Sequence, residues 1–150
     1  MPFRGLKGRK KGMLVKNMKV ISLTEPFATL IKEKKKKIET RSWKTTYRGE
    51  IYIHASSTRV PKEWKENKEL MSLIEDELSF GKIICKCHLV DCMEMTEEWI
   101  DKLKKENKEE YICGIYEKGR YAWILEKIEP LEEPITVKGH LGIWNYEEKF

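Results

Sequence analysis

Six short segments of the chain carry strand patterning, and no run of 18 or more apolar residues exists anywhere between them. The strand segments are Lys19-Val20-Ile21-Ser22-Leu23, Ile38 to Trp43, Glu50 to Ala55, Gly81 to about Met93, Tyr121 to Leu125, and Ile135 to Trp144. Helical spacing fills three of the gaps. Thr24-Glu25-Pro26 opens a helix, with Thr24 as its expected cap and proline in a first turn whose amides lack partners. Phe27, Leu30 and Ile31 form its buried face. Residues 61–76 read as one amphipathic helix with Trp64, Met71 and Ile74 on a side. Thr96 caps a third helix, whose apolar face is Trp99, Ile100 and Leu103, with Glu97 and Glu98 in its acidic first turn.

Tyr47-Arg48-Gly49 joins the second and third strands as an expected antiparallel pair. Tyr111 to Tyr116 fits either a loop or a short strand, and Pro130 and Pro134 are expected to break the chain after the fifth strand. The order is β-α-ββ-α-β-α-ββ. It predicts an α+β fold, a small β-barrel of about five to six mostly antiparallel strands with two to three helices packed at its ends.

The 150 residues suit one domain, and 40% hydrophobic content with 15 aromatic residues supplies a core. The net charge of +5 is uneven. Arg4, Lys7, Arg9, Lys10, Lys11, Lys16 and Lys19 fill residues 1–19 without an acid, leaving 23 basic and 25 acidic side chains beyond. Residues 1–17, with Gly5, Gly8 and Gly12 among the lysines, therefore read as a flexible basic arm ahead of a domain spanning 18–150. Such an arm can attract phosphate by counterion release, or it can be a solvated tail. No secretory signal and no membrane span are expected, and the location is expected to be cytoplasmic.

The four cysteines read as reduced thiols. Cys85 and Cys87 should point to one face of their strand, His88 and Cys92 to the other, and no Cys-x-x-Cys pair exists. Neither a metal site nor a cofactor is expected.

A period of two places Glu39, Arg41 and Trp43 on one strand face. A carboxylate that accepts from exocyclic amines, a guanidinium that binds phosphate or a base edge, and an indole that stacks can together read a nucleotide. The same residues could equally form a surface ion pair beside a partly buried tryptophan. Ser22 and the turn through Pro26 would lie near a helix N-terminus. His54 and Ser56 share a strand face with Tyr52, as binding groups or as structural ones. Lys138 and His140 flank Gly139, where a nucleic-acid backbone could approach or a plain loop could run.

Ser22-Leu23, Pro26-Phe27-Ala28, Leu30-Ile31, Ile38 to Trp43, Tyr47-Arg48-Gly49 and Ile53-His54-Ala55-Ser56 together resemble the ASCH family (activating signal cointegrator homology domains). The resemblance continues through Gly81, Val90-Asp91-Cys92, Tyr121-Ala122-Trp123, Lys138-Gly139 and Ile143-Trp144, and spans roughly residues 18–146. It implies a PUA-like barrel, related to RNA-binding PUA domains and to EVE domains that bind modified bases. It also places the strand of Glu39 at the domain's cleft, and makes Lys36, Ser42 and Arg48 candidates beside the residues already named.

RNA or another nucleic acid, single-stranded or carrying a modified base, is then the expected partner, and the oligomeric state is left open. Two alternatives stand beside this reading. Some short bacterial members are amidohydrolases that deacetylate modified cytidine with a lysine, threonine and glutamate set. Lys36 matches that lysine, whereas Glu39 stands where the threonine nucleophile belongs and Thr40 is one residue away. A lysine beside a carboxylate could still act as base and partner, which makes Lys36 and Glu39 the catalytic candidates. The other alternative is a protein–protein adaptor.

Overall fold

The computed structural model describes residues 6–10 and 13–149, with side chains described from 15 to 148. Among these residues run β1 (Leu6–Lys10), β2 (Met13–Leu23), α1 (Phe27–Lys32), β3 (Ile38–Arg41), β4 (Gly49–Ala55) and α2 (Lys62–Lys65). They are followed by α3 (Lys68–Met71), β5 (Lys82–Glu94), α4 (Glu97–Glu106), α5 (Lys108–Ile112), β6 (Tyr121–Thr136) and β7 (Ile143–Lys149). The strands form one mixed sheet in the order β1-β2-β4-β5-β6-β3, with β7 also paired to β2. Only the β2–β4 ladder is parallel. The fold is α+β and barrel-like, and no ladder joins its outer strands β3 and β7 among the described residues.

Alternation within the strands builds two apolar layers. On β2, Ile21 and Leu23 face a large core with Ile51, Ile53 and Ala55 of β4 and with Trp123 and Leu125 of β6. Met18 and Val20 of β2, with Tyr52 of β4, face the opposite way, against Ile83 and Trp144. Strand β6 serves both layers. Trp123, Leu125 and Ile128 belong to the first, while Leu131 and Ile135 pack on the second. Lys127 lies near the change from one to the other, with a φ of 53°.

Several expectations are corrected. Strands β3 and β4 do not pair with each other. β3 pairs with β6, and β4 lies between β2 and β5. Alternation specifies faces, whereas neighbours are set by packing between distant segments. Pro130 and Pro134 do not end β6, because β3 covers only Tyr121–Ile124 and the rest of that edge needs no ladder donor. Ile135 and Thr136 therefore end β6, and the last strand begins only at Ile143.

The helix expected over 61–76 is two single-turn helices, broken where Asn67 turns its side chain to accept from the Leu70 amide at 3.0 Å. Tyr111 lies in α5, which Asn107 caps through the Glu110 amide. Thr96 caps α4 as expected. Thr24 does not cap α1. Instead the buried Glu25 carboxylate accepts from the Thr29 amide and hydroxyl and from the Ser79 amide.

The hairpin of β1 with the start of β2 occupies part of the span 1–17, and Val15 is already buried and paired with β7. Arg4 and Lys11 lie outside the described residues. Register shifts in β5 turn Cys92 to the same core as Cys85 and Cys87, against the simple period of two. Burial pushes the Cys87 and Cys113 thiols up to about 12, and that of Cys85 higher still. Among the described residues, no three His, Cys, Asp or Glu side chains gather as metal ligands. No helix among them is long and apolar enough to cross a membrane.

Candidate nucleic-acid interface

A cleft of about 330 Å³ opens between β3, the junction of β2 with α1, and the loop that follows α5. Its construction begins at Lys36. Beyond α1 the chain reverses through Lys34, at a φ of 63°, and the amides of Lys35 and Lys36 both return to the Leu30 carbonyl. Lys36 is thereby carried inward and is 1% exposed. Its ammonium donates to the carbonyls of Ile38, at 2.6 Å, and Cys113, and lies 3.7 Å from Glu39 Oε1. Gly114 makes room for it, since a Cβ there would stand 3.2 Å from Lys36 Nζ and 3.1 Å from Thr40 Cγ2.

Behind Lys36 lies Glu110, also buried. Its carboxylate accepts from the Lys37 and Ile38 amides at 2.7 and 3.3 Å and from the Tyr116 hydroxyl at 3.4 Å. Burial raises the Glu110 carboxyl above its ordinary range, and the charge of Lys36 and these hydrogen bonds oppose the rise. The lysine and the acid together fasten the start of β3 to α5.

Strand β3 and the bend after it then present the candidate side chains. Glu39 is 8% exposed and accepts from Arg41 Nε at 2.9 Å. Arg41 Nη2 donates across the cleft to the Ser22 carbonyl at 2.8 Å, tying β3 to β2 without a ladder between them. Trp43 follows, perpendicular to the buried Trp123 at 4.8 Å between ring centroids and still 38% exposed. Trp123 Nε1 donates to the Trp43 carbonyl, which holds the backbone below the indole.

The cleft thus brings together Ser22, Lys36, Glu39, Arg41, Ser42 and Trp43 of the candidates read from sequence. Among the other residues that line its walls are Phe27, Trp64, Arg120 and Thr40. Phe27 and Trp64 meet edge to face at 5.2 Å on one side. On the other, Arg120 donates to the Ile115 and Thr40 carbonyls at 3.1 and 3.3 Å. Thr40 lines the cleft as well and accepts from the Ile115 amide, although alternation places it opposite Glu39. No spacing motif marks Arg120 or Trp64, because each reaches the cleft from a distant segment.

The remaining candidates do not line the cleft. Pro26 is buried at the start of α1. Arg48 turns to the Thr45 and Tyr47 carbonyls and lies 3.7 Å from Asp91. Ser56 bonds with Thr58. Lys138 and His140 stand apart in the loop before β7, with His140 exposed and its ring edge-on to Trp144 at 5.0 Å.

His54 is buried behind Ser22. Its Nε2 faces the Val137 carbonyl at 2.7 Å, which can only accept, so Nε2 carries the proton and Nδ1 accepts from Ser22 Oγ at 3.0 Å. Ser22 Oγ accepts in turn from Trp144 Nε1 at 3.1 Å. Burial pushes the imidazole below 6.5, the Val137 carbonyl opposes that, and His140 adds to it. Gly139 lets the protein's own loop close over this network, since a Cβ there would meet Ser22 Oγ at 2.7 Å.

Known proteins are similar to this chain to differing extents. Activating signal cointegrator 1 of Mus musculus is 25% identical over 133 residues, covering 86% of this chain but 22% of that protein. The crystal structure of ASCH from Zymomonas mobilis is 19% identical, covers 79% of this chain and 73% of that one, and superposes with a TM-score of 0.49. A point variant of the same Zymomonas mobilis protein gives 0.47, again at 19% identity, over 79% of this chain and 75% of that one. The sequence pattern of the ASCH domain matches residues 21–135, which takes in β3, α1 and every segment that lines the cleft. This chain therefore belongs to the ASCH domain family.

Proposed function

We propose that the domain binds nucleic acid, with RNA as the favoured class, by holding one nucleotide in the cleft of Arg41, Arg120 and Trp43. The observation that carries this reading is the joining of two guanidiniums with an exposed indole around a hollow of about 330 Å³. Guanidiniums suit phosphate and base edges, and an indole face accepts any base. Glu39, between Lys36 and Arg41, would be the acceptor for an exocyclic amine.

Tryptophan fluorescence titration with short single-stranded RNAs tests the reading, with Trp43→Ala as the comparison. Loss of the stacking platform should cost about 1–3 kcal/mol of affinity. Affinity should also fall steeply as salt rises. Equal binding by the variant, or binding indifferent to salt, would favour the protein–protein adaptor instead. Hydrolysis is the weaker reading of the same cleft, because the Lys36 ammonium is already committed to two backbone carbonyls.

A further inference from the structure

A second cavity, of about 260 Å³, shares no residue with the cleft. It lies over the smaller apolar layer, where Met18 and Ile135 supply nonpolar wall. Its remaining character is acidic. Glu132, Glu133 and Glu148 line it against the single ammonium of Lys16, in a chain whose net charge is +5. Just beyond it, Glu50 and Glu129 share Lys86 at 3.9 and 3.6 Å, which adds a further negative charge.

An acidic cluster alone would mark only a solvated surface. The second observation is Tyr52. Its side chain lines the cavity, is 2% exposed, and carries the one buried hydroxyl without a hydrogen-bond partner among the described residues. Such a hydroxyl stands ready for a donor or acceptor that the chain does not supply. Burial first, then the charge of Glu50, pushes the phenol up to about 12, with Lys86 opposing and Glu148 and Glu129 adding to the rise. The phenol is therefore neutral, and its oxygen is free to accept. The Tyr52 ring already receives one cation, with Lys16 Nζ 5.2 Å from its centroid.

The geometry points to a binding site for a primary alkylammonium group, seated with its nitrogen between the Tyr52 hydroxyl and the carboxylates and its aliphatic stem along Met18 and Ile135. An ammonium has the donors that the phenol oxygen lacks, and its charge complements the excess of carboxylates. An anion would meet three carboxylates, and a neutral apolar group would leave the phenol orphaned.

Two sources carry this chemistry, a free aliphatic diamine and the lysine side chain of a partner protein. Backbone amide shifts of the full chain should be followed by NMR during titration with cadaverine and, separately, with a lysine blocked at both its α-amine and carboxyl. Butanol and sodium chloride at matched ionic strength serve as controls. Saturable shifts around Tyr52 and Glu148 are expected with the ammonium compounds alone, and the tighter of the two names the source.

Tyr52→Phe keeps the ring and its packing and removes the orphan. It should leave the free protein as stable or more so, yet weaken ammonium binding about tenfold. Glu148→Gln should weaken it as well and leaves the core untouched. Equal affinity in Tyr52→Phe, equal shifts with butanol, or no saturation at all would overturn the site, the last result meaning that the phenol holds only water.

Discussion

Burial divides the side chains of this domain into those that face outward and those that hold the frame, and His54 belongs to the second group. Its imidazole is neutral in the fold, donating to Val137 and accepting from Ser22, and burial depresses its affinity for protons below the ordinary 6.5. The unfolded chain then binds more protons as pH falls below about 6.5, so this contribution to stability is present above that value and is lost below it. Glu110 acts with the opposite sign, since its raised carboxyl favours the protonated form in the fold. Thermal unfolding of wild type and His54→Gln between about pH 7.5 and about pH 5.5 separates the two. The glutamine can keep both hydrogen bonds and cannot titrate, whereas Glu110 is common to both proteins. The wild-type melting temperature should fall more steeply with acid, and parallel curves would remove His54 as the cause.

At this scale the shared face of Glu39 and Arg41 was legible from a strand's period of two, whereas Trp43 lies in a bend beyond the end of β3 and reaches the cleft without that period, as do Thr40 and Ser42. The roles of His54 and Gly139 were not legible. A histidine and a glycine look alike in sequence whether they meet a ligand or their own chain, and here Gly139 admits the chain's own loop.

Elements were read well where their signals are local. Thr96 with two glutamates behind it marks α4, and alternation marks β4 and β5. The misreadings have two physical reasons, a distant partner at β6 and a local cap at Asn67. Strand β6 tolerates two prolines because β3 covers only its first four residues. The segment 61–76 has helical spacing, yet Asn67 interrupts it by capping a new turn that buries Leu70. Asn67→Ala should therefore destabilise the domain by about 1 kcal/mol, read as a lower urea midpoint with an unchanged slope. An unchanged midpoint would show that packing of Leu70 alone sets the break.

Across the whole molecule, charge is arranged in opposition. The cleft gathers Lys36, Arg41 and Arg120 around one carboxylate, while the cavity beside Tyr52 gathers three carboxylates around one lysine. Five more basic residues, Arg4, Lys7, Arg9, Lys10 and Lys11, stand in residues 1–12. Removing residues 1–12 leaves the buried Val15 and the rest of β2 in place. The truncated domain should keep its circular dichroism spectrum and bind all RNAs more weakly by a similar factor. Its salt dependence should flatten by about 0.7 in log–log slope for each phosphate that these basic residues no longer neutralise. Loss of folded signal would show instead that the leading hairpin is integral to the sheet.

The place of Glu39 has a consequence for how anything leaves the cleft. In the fold Arg41 is already engaged, because a carboxylate rests 2.9 Å from its Nε and its Nη2 donates to a carbonyl of β2. A phosphate approaching these two nitrogens, on the binding proposed above, would compete with a tethered rival rather than with water alone. The gain on arrival is correspondingly small, and on departure the rival closes the gap at once. On the binding proposed above, a cleft built this way would favour brief, repeated visits over long residence.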